Sequence, residues 1–260
     1  MEAFHLETPT GGIHVARWYP PQVALSHCPI ILLHDSLGCV ALWRGFPEQL
    51  AEATGREVIA YDRLGFGHSA TCSEPLPTTF VADEARGTFA AVRDALGIGR
   101  FVLLGHSVGG AMAIEAAGQH ADACQALITV AAPSSVEPRT LAGIREAEAA
   151  FAEPEAMARL ARYHGDKAEW VLRNWVDIWH SEAFRDWHLD EALPGVISPT
   201  LAIHGEHDEF GATEQAQRIA RLTTGPAEAR ILACGHVPHR ECPEALAAIV
   251  AAFLADTVAA

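Results

Sequence analysis

Residues 101 to 112, FVLLGHSVGGAM, constrain this chain more than any other stretch. Phe101 to Leu104 is a short, wholly apolar run, which suits a strand buried on both faces of a parallel sheet. Gly105-His106-Ser107-Val108-Gly109 follows at once and fits the G-x-S-x-G pattern. From Val108 onward the residues are small, helix-compatible and free of proline. The order is strand, tight turn, helix. A side chain at the tip of such a turn is held in strained backbone and presented above the sheet edge, and strain of this kind marks functional positions. Gly105 and Gly109 leave room for neighbouring backbone where a Cβ would block it.

Strand and helix signals alternate around this centre. Ala3–Glu7 and Ile13–Trp18 read as an antiparallel pair at a sheet edge, joined by the turn-rich Thr8–Gly12. Apolar runs at Pro29–Leu33, Glu57–Tyr61, Ala126–Val130, Thr200–His204 and Ala229–Ala233 read as further strands. Helical patterns fall near 42–53, 79–96, 213–222 and from Pro243. One irregularity interrupts the rhythm: from about Leu141 to Ala192 the chain predicts three or four short helices carrying Trp170, Trp175, Trp179 and Trp187. The expected fold is therefore α/β, a mostly parallel sheet of about eight strands with helices on both faces. The expected division is a core from 1 to 133 and from 196 to 260, with a helical cap at 134–195 inserted after the strand that follows the Ser107 helix. Sites on such sheets lie beyond the carboxyl ends of the strands, where His34 to Leu37, Ser107, Asp208 and His236 can converge.

Composition narrows the partners. With 18 Lys plus Arg against 33 Asp plus Glu, the formal charge of −15 disfavours nucleic acid and anionic membrane and makes a neutral or weakly polar small molecule the easier substrate. The amino-terminal residues have no signal-peptide pattern and the longest apolar run, near Ala245–Ala255, is too short to span a bilayer, so a cytoplasmic protein is expected. Six scattered cysteines without a C-x-x-C pair read as free thiols. Fourteen histidines raise a metal hypothesis, with His204, His207, Asp208, His236 and His239 crowding two segments. Strand geometry sends His204 and His207 to opposite sides, and neither a metal nor a cofactor is expected.

A serine hydroxyl is a weak nucleophile and needs a base, itself fixed by a third group. His236, in Ala-Cys-Gly-His directly after a strand, is the candidate base. Asp208, after the preceding strand, is the candidate acid that would hold its useful tautomer, with Glu137, Glu206 and Glu209 as competitors. The candidate oxyanion donors are the Val108 N–H at a helix start and the Ser36 N–H, with Leu37 as fallback. Leu37, His34, Trp175 and Trp179 are the candidate pocket residues; the two tryptophans share a helix face, which fits a packed core at least as well as a substrate wall.

Together, His34-Asp-Ser-Leu-Gly38, Asp62-Arg-Leu-Gly-Phe-Gly-His-Ser69, the Gly105–Gly110 elbow, Gly205-Glu-His-Asp208 and Gly235-His-Val-Pro-His-Arg-Glu241 resemble the cap-bearing α/β-hydrolases, a group that includes carboxylesterases, C–C bond hydrolases and proline iminopeptidases. The resemblance covers nearly the whole chain. It implies a serine hydrolase, most simply of a small uncharged or modestly apolar carboxylic ester. The alternatives are a C–C bond hydrolase of a vinylogous diketone and a triad-bearing ligand receptor with little turnover. Relatives with an aspartate nucleophile, the epoxide hydrolases and haloalkane dehalogenases, are disfavoured by Ser107. In such enzymes the first motif usually reads His-Gly; here Asp35 replaces the glycine and is expected to point away from the oxyanion and bond to backbone.

Overall fold

The computed structural model describes residues 1–21 and 27–258, so the expected spans 1–133 and 196–260 each include a few residues outside the described ones. The chain opens on the antiparallel pair β1 (Glu2–Thr8) and β2 (Gly11–Trp18). Next come β3 (Ile30–Leu33), β4 (Val58–Tyr61) and β5 (Phe101–His106), each buried at every position. Burial on both faces is why they read as unbroken apolar runs. β6 (Cys124–Val130), β7 (Thr200–Gly205) and β8 (Ala227–Leu232) complete a sheet of order β1-β2-β4-β3-β5-β6-β7-β8. β2 also pairs antiparallel with β4, and every later pairing is parallel. The Ser107 strand thus lies inside the sheet, between β3 and β6.

Consecutive strand side chains point to opposite faces, which divides the core in two. Ile31, Leu33 and Leu103 pack with α2 (Phe80–Arg86), α3 (Thr88–Ala95) and α4 (Val108–Gln119) on one side. Ile30, Leu32 and Leu104 pack on the other with Phe46 and Leu50 of α1 (Phe46–Thr54) and with Leu246 and Val250 near the carboxyl terminus. The helix expected over 79–96 is broken at Gly87, whose φ of −99° and ψ of −99° are not helical. The helix expected from Leu42 starts only at Phe46, because a 3-10 turn at Val40–Trp43 and a positive φ at Arg44 come first.

Between β6 and β7 run α5 (Pro138–Ala150), α6 (Pro154–His164) and α7 (Ala168–His180) with short 3-10 turns. Trp179, Phe184 and Trp187 cluster at centroid distances of 5.2 to 6.0 Å, Phe184 stacked on Trp187 and Trp179 edge-on to both, which anchors the end of α7. α8 (Glu214–Leu222), the short α9 (Pro238–Glu241) and α10 (Pro243–Thr257) finish the chain. No helix among the described residues is long and apolar enough to cross a membrane.

Candidate active site

β5 runs two residues past the apolar stretch, through Gly105 and His106, and delivers Ser107 to the first position before α4. Ser107 has φ 54° and ψ −128°, a conformation that side chains rarely adopt and that costs about 1 to 3 kcal/mol. The glycines around it are sterically required. A Cβ on Gly105 would sit 2.2 Å from the Gly109 carbonyl oxygen, and one on Gly109 would sit 2.2 Å from that of Leu33. Ser107 N–H is tied to the Val130 carbonyl at 2.9 Å, which fixes the turn against β6.

Ser107 and His236 line one cavity of about 540 Å³. His236 Nδ1 donates to the Asp208 carboxylate, 2.8 Å from Oδ2 and 2.9 Å from Oδ1. A carboxylate can only accept, so Nδ1 carries a proton and Nε2 is the ring nitrogen not engaged with Asp208. Asp208 Oδ1 also accepts the N–H groups of Phe210 at 2.7 Å and Gly211 at 3.2 Å. Burial opposes the charge on Asp208, but the imidazoles of His204 and His236 outweigh it and hold the carboxyl well below the usual range. Of the competing acids, Glu206 and Glu209 are exposed, and Glu137 accepts the Ala212 N–H at 2.6 Å. Asp208 is the carboxylate that meets His236.

No protein acceptor meets the N–H of Val108 or of Ser36 among the described residues, and Ser36 lines the cavity. The fallback donor is spent: Leu37 N–H donates to Asp35 Oδ1 at 2.9 Å. Leu37, Trp175 and Trp179 line the cavity while also packing into the core, so for the tryptophans the two readings coexist. His34 is a correction. It is not part of the cavity wall; buried, it donates from Nδ1 to the Asp35 carbonyl at 2.8 Å and accepts the Arg63 N–H on Nε2 at 3.1 Å. These two backbone bonds explain why the imidazole faces the protein rather than the cavity.

Asp35 bonds to backbone as expected through Oδ1, yet it lines the cavity and its Oδ2 lies 3.2 Å from His106 Nδ1. His106 Nε2 faces the His236 carbonyl at 2.8 Å. A carbonyl only accepts, so Nε2 carries a proton, and a further proton must lie between Nδ1 and Oδ2 for that contact to be attractive. Burial works against the Asp35 charge, but the bond from His106 and its charge keep the carboxyl far below the usual range. His106 thereby links the loop after β3 to the loop carrying His236. Replacing Asp35 by Asn keeps an acceptor for Leu37 and gives His106 Nδ1 an amide donor, so stability in urea should stay within about 1 kcal/mol of the parent. Asp35→Ala leaves both groups without a partner and should cost about 1 to 3 kcal/mol; equal effects of the two changes would refute this account.

Two participants were not singled out by sequence pattern. His204, weighed only as a metal ligand, is a buried cavity residue whose Nε2 is 3.0 Å from Asp208 Oδ2 without hydrogen-bond alignment. His239 lies against His106 with ring centroids 4.6 Å apart. A signal for the His106 contact did exist, since Asp35 stands where glycine is usual. Among the described residues no three His, Cys, Asp or Glu side chains converge closely enough to hold a metal ion.

The family model of the alpha/beta hydrolase fold matches residues 29–175. A proline iminopeptidase of Lactobacillus delbrueckii subsp. lactis is 35% identical over 91 residues, which is 35% of this chain and 31% of that protein. The chain thus matches under a third of that relative's length. The 2-hydroxymuconate semialdehyde hydrolase of Pseudomonas sp. (strain CF600) is 25% identical over 253 residues, covering 89% of this chain and 88% of that one. The crystal structure of proline iminopeptidase from Mycobacterium smegmatis superposes with a TM-score of 0.74 at 25% identity, over 98% of both chains. With the family model spanning more than half of its residues and the elbow, sheet order and strand-end residues in place, the chain belongs to the alpha/beta hydrolase fold family, a superfamily of hydrolytic enzymes.

Proposed function

We propose that the chain is a serine hydrolase that cleaves a small carboxylic ester through an acyl-enzyme, with residues 134–195 acting as a lid over the site. The observation that carries this reading is a strained Ser107 sharing a cavity with His236, whose Nδ1–H is hydrogen-bonded to a buried carboxylate. In the proposed first step the Ser107 oxygen attacks the ester carbonyl carbon while its proton passes to His236 Nε2. The carbonyl π bond becomes an oxyanion that accepts from the Ser36 and Val108 N–H groups. Asp208 stabilises the imidazolium without taking its proton. Collapse breaks the C–O bond, His236 returns the proton to the leaving alcohol, and a water then repeats the sequence on the acyl-enzyme.

A second reading is favoured by the end-to-end match to 2-hydroxymuconate semialdehyde hydrolase: the same residues would cleave a C–C bond of a vinylogous diketone. Side-by-side turnover of esters and dienone acids separates the two, and burst kinetics with p-nitrophenyl esters separates either from a receptor with little turnover. The test of the nucleophile is direct. A fluorophosphonate probe should label Ser107 and none of the other eight serines. Labelling elsewhere with Ser107 untouched would sink the assignment.

A further inference from the structure

Among the described residues three non-glycine positions have positive φ, namely Arg44 at 54°, Ser107 at 54° and Ala131 at 52°, and all three line the one cavity. Strain at Ser107 belongs to the elbow. Ala131 directly follows β6, beside the elbow, and its N–H is tied to the Ile203 carbonyl of β7. Arg44 has no such explanation, though its φ of 54° and ψ of −129° nearly repeat those of Ser107. Backbone held in so sparse a region persists only where the surroundings impose it, and it clusters at ligand contacts.

The charge at this cavity is opposite to that of the chain. The protein carries 33 acidic and 18 basic residues, yet the cavity is lined by Arg44, Arg159 and Arg240 and by a single acid, Asp35. Asp35 is already committed to Leu37 N–H and His106. None of the three arginines pairs with a carboxylate among the described residues. Arg240 donates from Nε and Nη2 to the Leu42 carbonyl at 3.3 and 3.1 Å. Leu42 lies in the turn that leads to Arg44, so this contact fixes one guanidinium and braces the turn that carries the next. Arg159, an exposed residue of α6, also lines the cavity, with Tyr163 one helical turn later in the wall as well. Unpaired guanidinium groups around a largely apolar cavity attract an anion, and their planar donor fork matches a carboxylate.

We propose that the cavity takes a substrate bearing a carboxylate remote from the scissile carbonyl, with Arg44 and Arg240 receiving that carboxylate and Arg159 meeting it from α6. The proposal rests on the esterase reading for the scissile bond, but the anion site itself does not. In place of the uncharged ester expected from the sequence, it points to half-esters of dicarboxylic acids and similar anionic esters.

Two matched measurements test it and keep the two readings apart. With Ser107→Ala protein, calorimetric binding of the monomethyl esters of succinate, glutarate and adipate is compared with that of the corresponding dimethyl esters. With the parent enzyme, kcat/KM is compared for the same pairs. At low salt the best half-ester should be favoured by at least about tenfold in binding, and added salt should narrow the gap. Arg44→Gln and Arg240→Gln should each pull the ratio towards one, and Arg44→Lys should restore part of it. Arg44→Gln alone is decisive if Arg240→Gln loosens the turn at Leu42. Equal or tighter binding of the neutral esters, no binding of any half-ester, or a ratio unchanged in Arg44→Gln would each overturn the anion site. Preferential half-ester binding without turnover of any ester would instead keep the anion site and refute the esterase reading.

Discussion

Replacing Asp208 by Asn is expected to lower the acylation rate about 10⁴-fold, or about 5 to 6 kcal/mol of barrier, by analogy with the same change in a serine-protease triad. The geometry says why the loss should be large. Asp208 Oδ1 accepts two backbone N–H groups, from Phe210 and Gly211, so an asparagine keeps its oxygen there. Its NH₂ then occupies the Oδ2 position, 2.8 Å from His236 Nδ1. An amide donor at that place demands a lone pair on Nδ1, which moves the ring proton to Nε2 and removes the lone pair that the proposed mechanism needs there. The fold should survive, since both backbone contacts are kept. Glu137→Gln should cost far less, because a glutamine oxygen can still accept the Ala212 N–H. Single-turnover acylation of both variants, with circular dichroism as a folding control, decides the matter whatever the natural ester. A crippled Glu137→Gln beside an Asp208→Asn within about tenfold of the parent refutes the assignment.

What sequence could reveal about this molecule follows from the range of the contacts involved. The elbow is local: strand, glycines and helix start lie within twelve consecutive residues, and steric need at Gly105 and Gly109 makes the pattern readable. The two-faced burial of β3, β4 and β5 is also local, because it leaves unbroken apolar runs. The order that places β4 outside β3 is not local, since nothing in a strand names its neighbour. The pairing of Asp35 with His106 joins positions 71 residues apart, and the Leu42–Arg240 contact joins positions 198 apart. Net charge is blind to placement for the same reason. A sum of −15 averages over the whole chain and does not show that three arginines line one cavity. The break at Gly87 shows the opposite limit: an amphipathic run longer than the helix that forms, because one glycine can leave helical geometry where a residue with a Cβ would resist.

The stability of the fold should fall steeply on mild acidification, and two buried histidines outside the proposed triad are the main cause. His34 already accepts the Arg63 N–H on Nε2, so protonation there would break that bond. Burial and the Arg63 charge hold it down to about 3, against the opposing pull of Asp62 and Asp35. His239 is wedged between Trp43 and His106, each at 4.6 Å between centroids. Burial, His106, Arg240 and His236 push it down to about 2, against the pull of Asp35. Both rings are therefore neutral in the folded protein, whereas in the unfolded chain they titrate near the ordinary value of about 6.5. The sign follows. Below about pH 6.5 the unfolded chain binds more protons than the folded one, so stability is greatest above that pH and is lost as pH falls towards the folded values. Each group contributes a slope of about 1.4 kcal/mol per pH unit, or nearly 3 for the pair between about pH 5.5 and 3.5. Asp62, held at about 2 by His14 and the His68 and Val40 N–H groups against burial, adds a further loss below about pH 4. Set against a typical net stability of about 5 to 15 kcal/mol, this predicts acid unfolding well above the range where carboxylates alone would cause it. Urea titrations at stepped pH measure the slope directly, and His239→Gln should remove about half of it. A stability that stays flat from about pH 6.5 down to about pH 4.5 would mean that neither imidazole is held neutral, His34 by the Arg63 N–H it accepts and His239 by its burial.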